Sequence, residues 1–307
     1  TWDSRVIDLD KASQSVDYCD ELKGRCNGLE ITELATHLQG HLVAVNKAYD
    51  AQFDLLAPTS LRRNHRARTD WAVDQMKMAI KASRNLGLSV VPTQSGSLLW
   101  HYMYPFPQRP EGLVDLAFRE LAKRWQPILD TAQECGIDLA YEVHPGDDIH
   151  DGITFERFLK ETGNHERVNI LYDPSHLLLQ CLDYMGYIMC YKDYIKAFHV
   201  KDAEYNASPS SGVYGGYQEW KDRPGRFRSP GDGQINFKRI FTKITEIGYS
   251  SWAVLEWECC IKDAAQGARE GADFIRSMLI DVTQKSFDDF AGGGVDGEFN
   301  RGILGLN

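Results

Sequence analysis

Short apolar runs recur along the second half of the chain, and each ends in an ionisable residue. Ile137 to Gly146 (IDLAYEVHPG) reads as a buried strand, Ile137 to Val143, that runs into a Pro-Gly turn. Side chains alternate across a strand, so Glu142 and His144 share one face while Tyr141 and Val143 take the other. The same design returns in Val168 to His176 (VNILYDPSH), Ile195 to Asp202 (IKAFHVKD) and Ser251 to Glu258 (SWAVLEWE). Earlier in the chain, Gly28 to His37 and Leu88 to Thr93 also read as strands.

Helical periodicity fills the intervals. The pattern predicts helices over Asp10 to Lys23, Asp70 to Leu86 with Gly87 as its C-cap, and Pro110 to Cys135 closed by Gly136. Further helices are expected at Thr154 to Thr162, Leu182 to Tyr194, Phe237 to Ile247 and Ala264 to Val282. Ala203 to Gly233 reads as one long loop. Strands alternating with helices mean parallel βαβ units, and strands this apolar suit a sheet covered on both faces. A (β/α)8 TIM barrel fits best, ahead of an open doubly wound sheet. The strand count falls short of the eight that closure needs. The first strand is therefore expected to be missing or to lie upstream of Thr1. The domain reading is a barrel over 1–285 and a Gly/Asp-rich C-terminal extension over 286–307, whose composition is not expected to sustain a helix.

Composition narrows the classes. A chain of 307 residues with 43% hydrophobic content can bury one large core. A formal net charge of −10 argues against a nucleic-acid partner, which needs a basic surface. No apolar run is long enough for a membrane span, and the N-terminus lacks the layout of a signal peptide, so the expected location is cytoplasmic. The seven cysteines include no C-x-x-C pair and are expected to be free, buried thiols.

In a barrel of this kind the strand C-termini converge on one site. Glu142, Asp173, His199 and Glu256 all stand at such ends, and three carboxylates with one imidazole make a mostly oxygen site suited to Mn²⁺, Mg²⁺ or Co²⁺. Glu258 shares a face with Glu256, leaving the choice of ligand between them open. His176 is expected to touch substrate, His144 to act as an acid or base or as a supporting histidine, and Lys201 either to contact a sugar oxygen or to pair with Asp202. His37 either reaches the same pocket or sits on the surface. The aromatic stretch Trp100 to Phe106, with His101, offers an apolar wall for a sugar ring or a subunit contact. The loop Ser208 to Arg228 has the length of a lid, with Arg226 and Arg228 available to a substrate.

Taken in order, YEVHPG, YDPSH, FHVKD, the GDG turn and VLEWE resemble the xylose isomerase-like TIM-barrel superfamily, the sugar phosphate isomerase/epimerase group, over roughly Gly28 to Val282. The resemblance implies a divalent ion, Mn²⁺ first and Mg²⁺, Co²⁺ or Zn²⁺ as alternatives, held by Glu142, Asp173, His199 and Glu256, with His176 near a small sugar or keto-sugar. It implies an isomerase or epimerase working through a metal-stabilised enediolate, with Glu142 and Glu256 as the base and acid pair. The first alternative is a lyase that cleaves 3-keto-glycosides by β-elimination, with His144 as its acid or base. Dehydratase relatives and a non-catalytic barrel subunit follow. A homo-oligomer, dimer or tetramer, is expected.

Overall fold

The computed structural model describes residues 4–283 and 297–306. Five strands form one parallel sheet: β1 (Val90–Thr93), β2 (Asp138–Glu142), β3 (Val168–Tyr172), β4 (Ile195–Val200) and, last in the chain, β7 (Ala253–Leu255), in the order β1-β2-β3-β4-β7. Two more, β5 (Asp202–Tyr205) and β6 (Gly225–Arg228), pair antiparallel as a hairpin. The helices are α1 (Leu9–Gln14), α2 (Val16–Arg25), α3 (His37–Val43), α4 (Asp50–Phe53), α5 (His65–Leu86), α6 (Leu113–Cys135), α7 (Gly152–Glu161), α8 (Pro174–Leu179), α9 (Tyr184–Tyr191), α10 (Phe237–Glu246), α11 (Ala264–Met278) and α12 (Gly297–Ile303). The curled five-stranded sheet with helices outside it is a half-barrel of the (β/α)8 type, with fewer parallel strands among the described residues than the eight of a closed barrel.

Strand alternation sorts the core into two parts. On β2, Leu139 and Tyr141 face the helices, and Trp125 of α6 and Phe158 of α7 meet the Tyr141 ring edge-on at 4.9 and 5.3 Å. Each such buried aromatic contributes roughly 4–6 kcal/mol of transfer free energy, at about 25 cal/mol per Å². Toward the barrel axis, Val90, Ala140, Leu171 and Ala197 form a separate small apolar layer. Two residues beyond Ala140, Leu171 and Ala197 stand the ionisable Glu142, Asp173 and His199. Local signals end the helices as expected: Gly87 and Gly136 take left-handed backbones after α5 and α6, and Asp151 with Thr154 forms a capping box on α7.

Several expectations give way. Residues 28–36 form no strand, although Thr36 donates its N–H and its hydroxyl to Pro92 O, each at 2.9 Å. Pro92 has no N–H to return, so a ladder there lacks its reciprocal bond. The helix read over Asp10 to Lys23 breaks at Ser15, which leaves helical geometry and caps α2 by accepting from Tyr18 N at 3.1 Å. The helix read from Leu182 is preceded by α8, which begins at Pro174 under the Asp173 cap, and Cys181 at positive φ separates α8 from α9. The loop read over 203–233 holds the β5–β6 hairpin, locked by Glu204 to Arg226 and Arg228 at 2.6 and 2.8 Å. Asp202 clamps its return by accepting from Ala203, Gly231, Gly233 and Ile235 N–H groups. The C-terminal extension does carry a helix, α12, on the Glu298–Arg301 run. The glycine run before it lies outside the described residues. All seven cysteines are free, but only Cys19 is buried. Among the described residues no helix is long and apolar enough to cross a membrane.

Candidate metal centre

Glu142 ends β2, Asp173 follows β3, His199 lies in β4 and Glu256 follows β7. Each offers one ligand atom, and these atoms all lie within 4.8 Å of one another. Glu142, Asp173 and His199 are buried, and Glu142 Oε1 and Asp173 Oδ2 have no hydrogen-bond partner. Lys201 approaches them only as an ion-pair neighbour, its Nζ at 3.7 Å from Glu142, 3.2 Å from Asp173, 3.0 Å from Glu256 and 3.4 Å from Glu258. One ammonium thus faces four carboxylates. Buried, unpartnered oxygens from Glu142 and Asp173, joined by the Glu256 carboxylate and an imidazole, make a donor set that suits a divalent cation, and the residues fit such an ion.

The proton affinities reflect the crowding. Burial, with the Glu142 and Glu256 charges added, pushes Asp173 up to about 7 against the pull of Lys201. Burial also acts on Glu142, but Lys201 and His176 hold its carboxyl well below the usual range. For Glu256, burial and Glu142 are outweighed by His199, whose Nδ1 lies 2.8 Å from Glu256 Oε2, and by Lys201. Lys201 loses hydration, yet Asp173, Glu142, Glu256 and Glu258 keep its ammonium firmly charged.

Of the other residues singled out by sequence, His176 places Nε2 3.1 Å from Glu142 Oε1 and 3.6 Å from Asp173 Oδ2. Burial, followed by Lys201 and His144, drives it down to about 3, a neutral ring. The His144 ring lies 4.1 Å from that of His176, and its buried Nδ1 has no partner. Lys201 joins the site and does not pair with Asp202, which is committed to its backbone clamp. Between the two C-terminal glutamates, Glu256 belongs to the quartet and Glu258 reaches Lys201. Arg228 is tied to Glu204.

Trp100 and His101 do not join this group. Trp100 packs edge-on against His150 at 5.3 Å and lines a cavity of about 300 Å³ that contains none of the quartet's three acids and one histidine. His101 is exposed and rests on Tyr102. The aromatic rings beside the quartet come from the hairpin instead: Phe227 lies 5.1 Å from Lys201 Nζ and 5.3 Å from the His176 ring, with the Trp220 ring tilted against it at 4.9 Å. Four partners escaped sequence reasoning or were left open by it. Glu33 lies 3.6 Å from His199 Nε2, Gln94 donates to Glu142 Oε2, His37 Nε2 is 3.5 Å from the same oxygen, and Asp147 binds His41. The signal for the histidines was the H-x-x-x-H spacing of His37 and His41, one helical turn apart.

Residues 3–278 match the family model described as xylose isomerase-like TIM barrel. The chain belongs to that family. Within it, an inosose dehydratase of Lacticaseibacillus casei is 30% identical over 161 residues, 50% of this chain and 51% of that protein. The chain spans about half the length of the curated relatives it matches. Among solved structures, the apo form of the 3-keto-D-glucoside 4-epimerase YcjR from E. coli superposes with a TM-score of 0.58 at 15% identity, over 87% of each chain. The IOLI protein, solved with a bound zinc atom, gives a TM-score of 0.55 at 14% identity, covering 85% of this chain and 81% of its own. These two likenesses show the fold.

Proposed function

We propose that this chain is a metal-dependent dehydratase that removes water from a cyclic keto-polyol of the inosose type by β-elimination. The observation that carries the reading is the quartet of Glu142, Asp173, His199 and Glu256 with the buried His176 and the half-buried His144 packed beside it. The inosose dehydratase relatives support the substrate class. Glu142, Asp173, His199 and Glu256 would hold a divalent ion, which would supply Lewis acidity toward the substrate carbonyl and its neighbouring C–H. Manganese, magnesium, cobalt and zinc all suit the donors.

The chain's own groups do the rest. His144, whose buried Nδ1 has no protein partner, takes the proton from the carbon beside the carbonyl. The C–H electron pair becomes the new C=C bond as the β C–O bond breaks, and the oxygen leaves as water once it gains a proton. Lys201 binds a substrate oxygen, and His176 stays neutral to orient it. Phe227 and Trp220 exclude water from one side. The isomerase or epimerase reading, first on sequence, now stands second: proton removal followed by return, with no C–O cleavage, needs the same groups. Cleavage of a 3-keto-glycoside is the same elimination with a glycosidic oxygen leaving. A homo-oligomer remains part of the proposal.

The test is incubation of metal-loaded protein with an inosose in D₂O. A product lighter by one water supports dehydration. Deuterium gain at the α-carbon with no water loss makes the chain an epimerase or isomerase, and neither reaction, together with no divalent ion bound, makes it a non-catalytic barrel.

A further inference from the structure

A second constellation lies just outside the quartet, on α3. His37 and His41 are one turn apart and share a helix face. Gly40 lets that helix lie against the end of β1, because a Cβ at this position would strike the Thr93 hydroxyl and the Gln94 backbone. His37 turns to Glu142, but His41 turns to Asp147, its Nδ1 3.1 Å from Asp147 Oδ1. Asp147 is fully buried, and its Oδ2 has no partner. A buried carboxylate with so few partners is costly unless the one it has is cationic, so the pair favours an imidazolium. The His41 ring stands 6.4 Å from the His144 ring and 5.5 Å from Phe53 of α4. With Nδ1 committed, Nε2 is the nitrogen left for a ligand, and the side chain keeps 19% of its surface open.

We infer that His41, oriented by Asp147, is the proton donor to the departing hydroxyl, working opposite His144. The inference rests on the dehydration reading. As the β C–O bond breaks with its electron pair on oxygen, the Nε2–H bond of His41 breaks and the proton completes the water. His41 is left neutral and regains its proton from solvent, which has received the one that His144 removed, so no proton is consumed. Asp147 is the positioning residue. The charged and titratable groups around His41 agree with this role: burial lowers its proton affinity, but the Asp147 carboxylate beside it and Glu142 beyond more than offset that, leaving it above an ordinary histidine.

The test uses the full metal-loaded chain, His41→Gln and Asp147→Asn, with an inosose and with its analogue bearing fluoride in place of the β-hydroxyl, a leaving group that needs no proton. In His41→Gln, water loss should fall about 100-fold, the usual scale of general acid catalysis. Exchange of the α-proton with D₂O, metal affinity and fluoride release should stay near wild type. Asp147→Asn should repeat the pattern with a loss of about tenfold, and it keeps the imidazole should the first variant fold poorly. Equal loss of fluoride release and water loss, or loss of α-exchange with either, overturns the assignment. A wild-type protein that dehydrates inosose while both variants match it overturns the assignment alone. A wild-type protein that neither exchanges nor dehydrates overturns the dehydration reading and the assignment with it.

Discussion

Two layers of the barrel interior, two residues apart on the same strand faces, divide the labour of this molecule. The lower holds Val90, Ala140, Leu171 and Ala197 in apolar contact. The upper holds Glu142, Asp173 and His199, joined by Glu256. One layer is satisfied by packing alone. The other gathers three carboxylates around a single ammonium, an arrangement that suits a bound cation. Stability and function are therefore separable by moving one step along a strand.

The sharpest way to break the contrast is Asp173→Asn. It should abolish turnover and lower divalent-metal affinity by about 100-fold, since a charged ligand is lost. At pH 8 the metal-free variant should nonetheless melt higher than metal-free wild type, because burial and like charges hold the Asp173 carboxyl up at about 7 and its ionised form destabilises the fold above that pH. Calorimetry on both proteins checks this. Leu171→Ala, one layer down, should do the opposite: a loss of about 2–5 kcal/mol in chemical denaturation with metal stoichiometry unchanged. Between these effects lies pH itself. Below about 7, Asp173 carries a proton that the metal must expel, so affinity should weaken by up to about tenfold per pH unit as pH falls, with proton release measurable by titration calorimetry in buffers of different ionisation enthalpy. The smallest effect tests the two aromatic regions: Phe227→Ala should raise KM, and Trp100→Ala, on a separate cavity, should leave kcat/KM within about twofold, the range of a substitution away from the site.

The upper layer was legible because a strand repeats every two residues. Glu142, His199 and Glu256 could be placed at strand ends from the apolar runs before them, and Asp173 from Pro174 after it. The α3 histidines were not legible in the same way. The segment before them is extended without a ladder, since Pro92 cannot return a bond, and no strand end marks their position. Their approach depends on Gly40, whose role shows only when the β1 backbone lies against it. Composition pointed to the aromatic loop at Trp100 as a wall, but aromatic content carries no address. The hairpin that does supply the aromatic rings beside the quartet was hidden by its glycines and prolines, although Ala203–Tyr205 and Gly225–Arg228 alternate as strands should.

The most direct measurement is metal content by mass spectrometry, joined to a crystal structure at the metal's absorption edge, on wild type and Asp173→Asn. The account predicts one divalent ion per wild-type chain, ligated by Glu142, Asp173, His199 and Glu256, and none in the variant. An ion bound elsewhere, or none in wild type with Lys201 left as the only cation among the carboxylates, would contradict it.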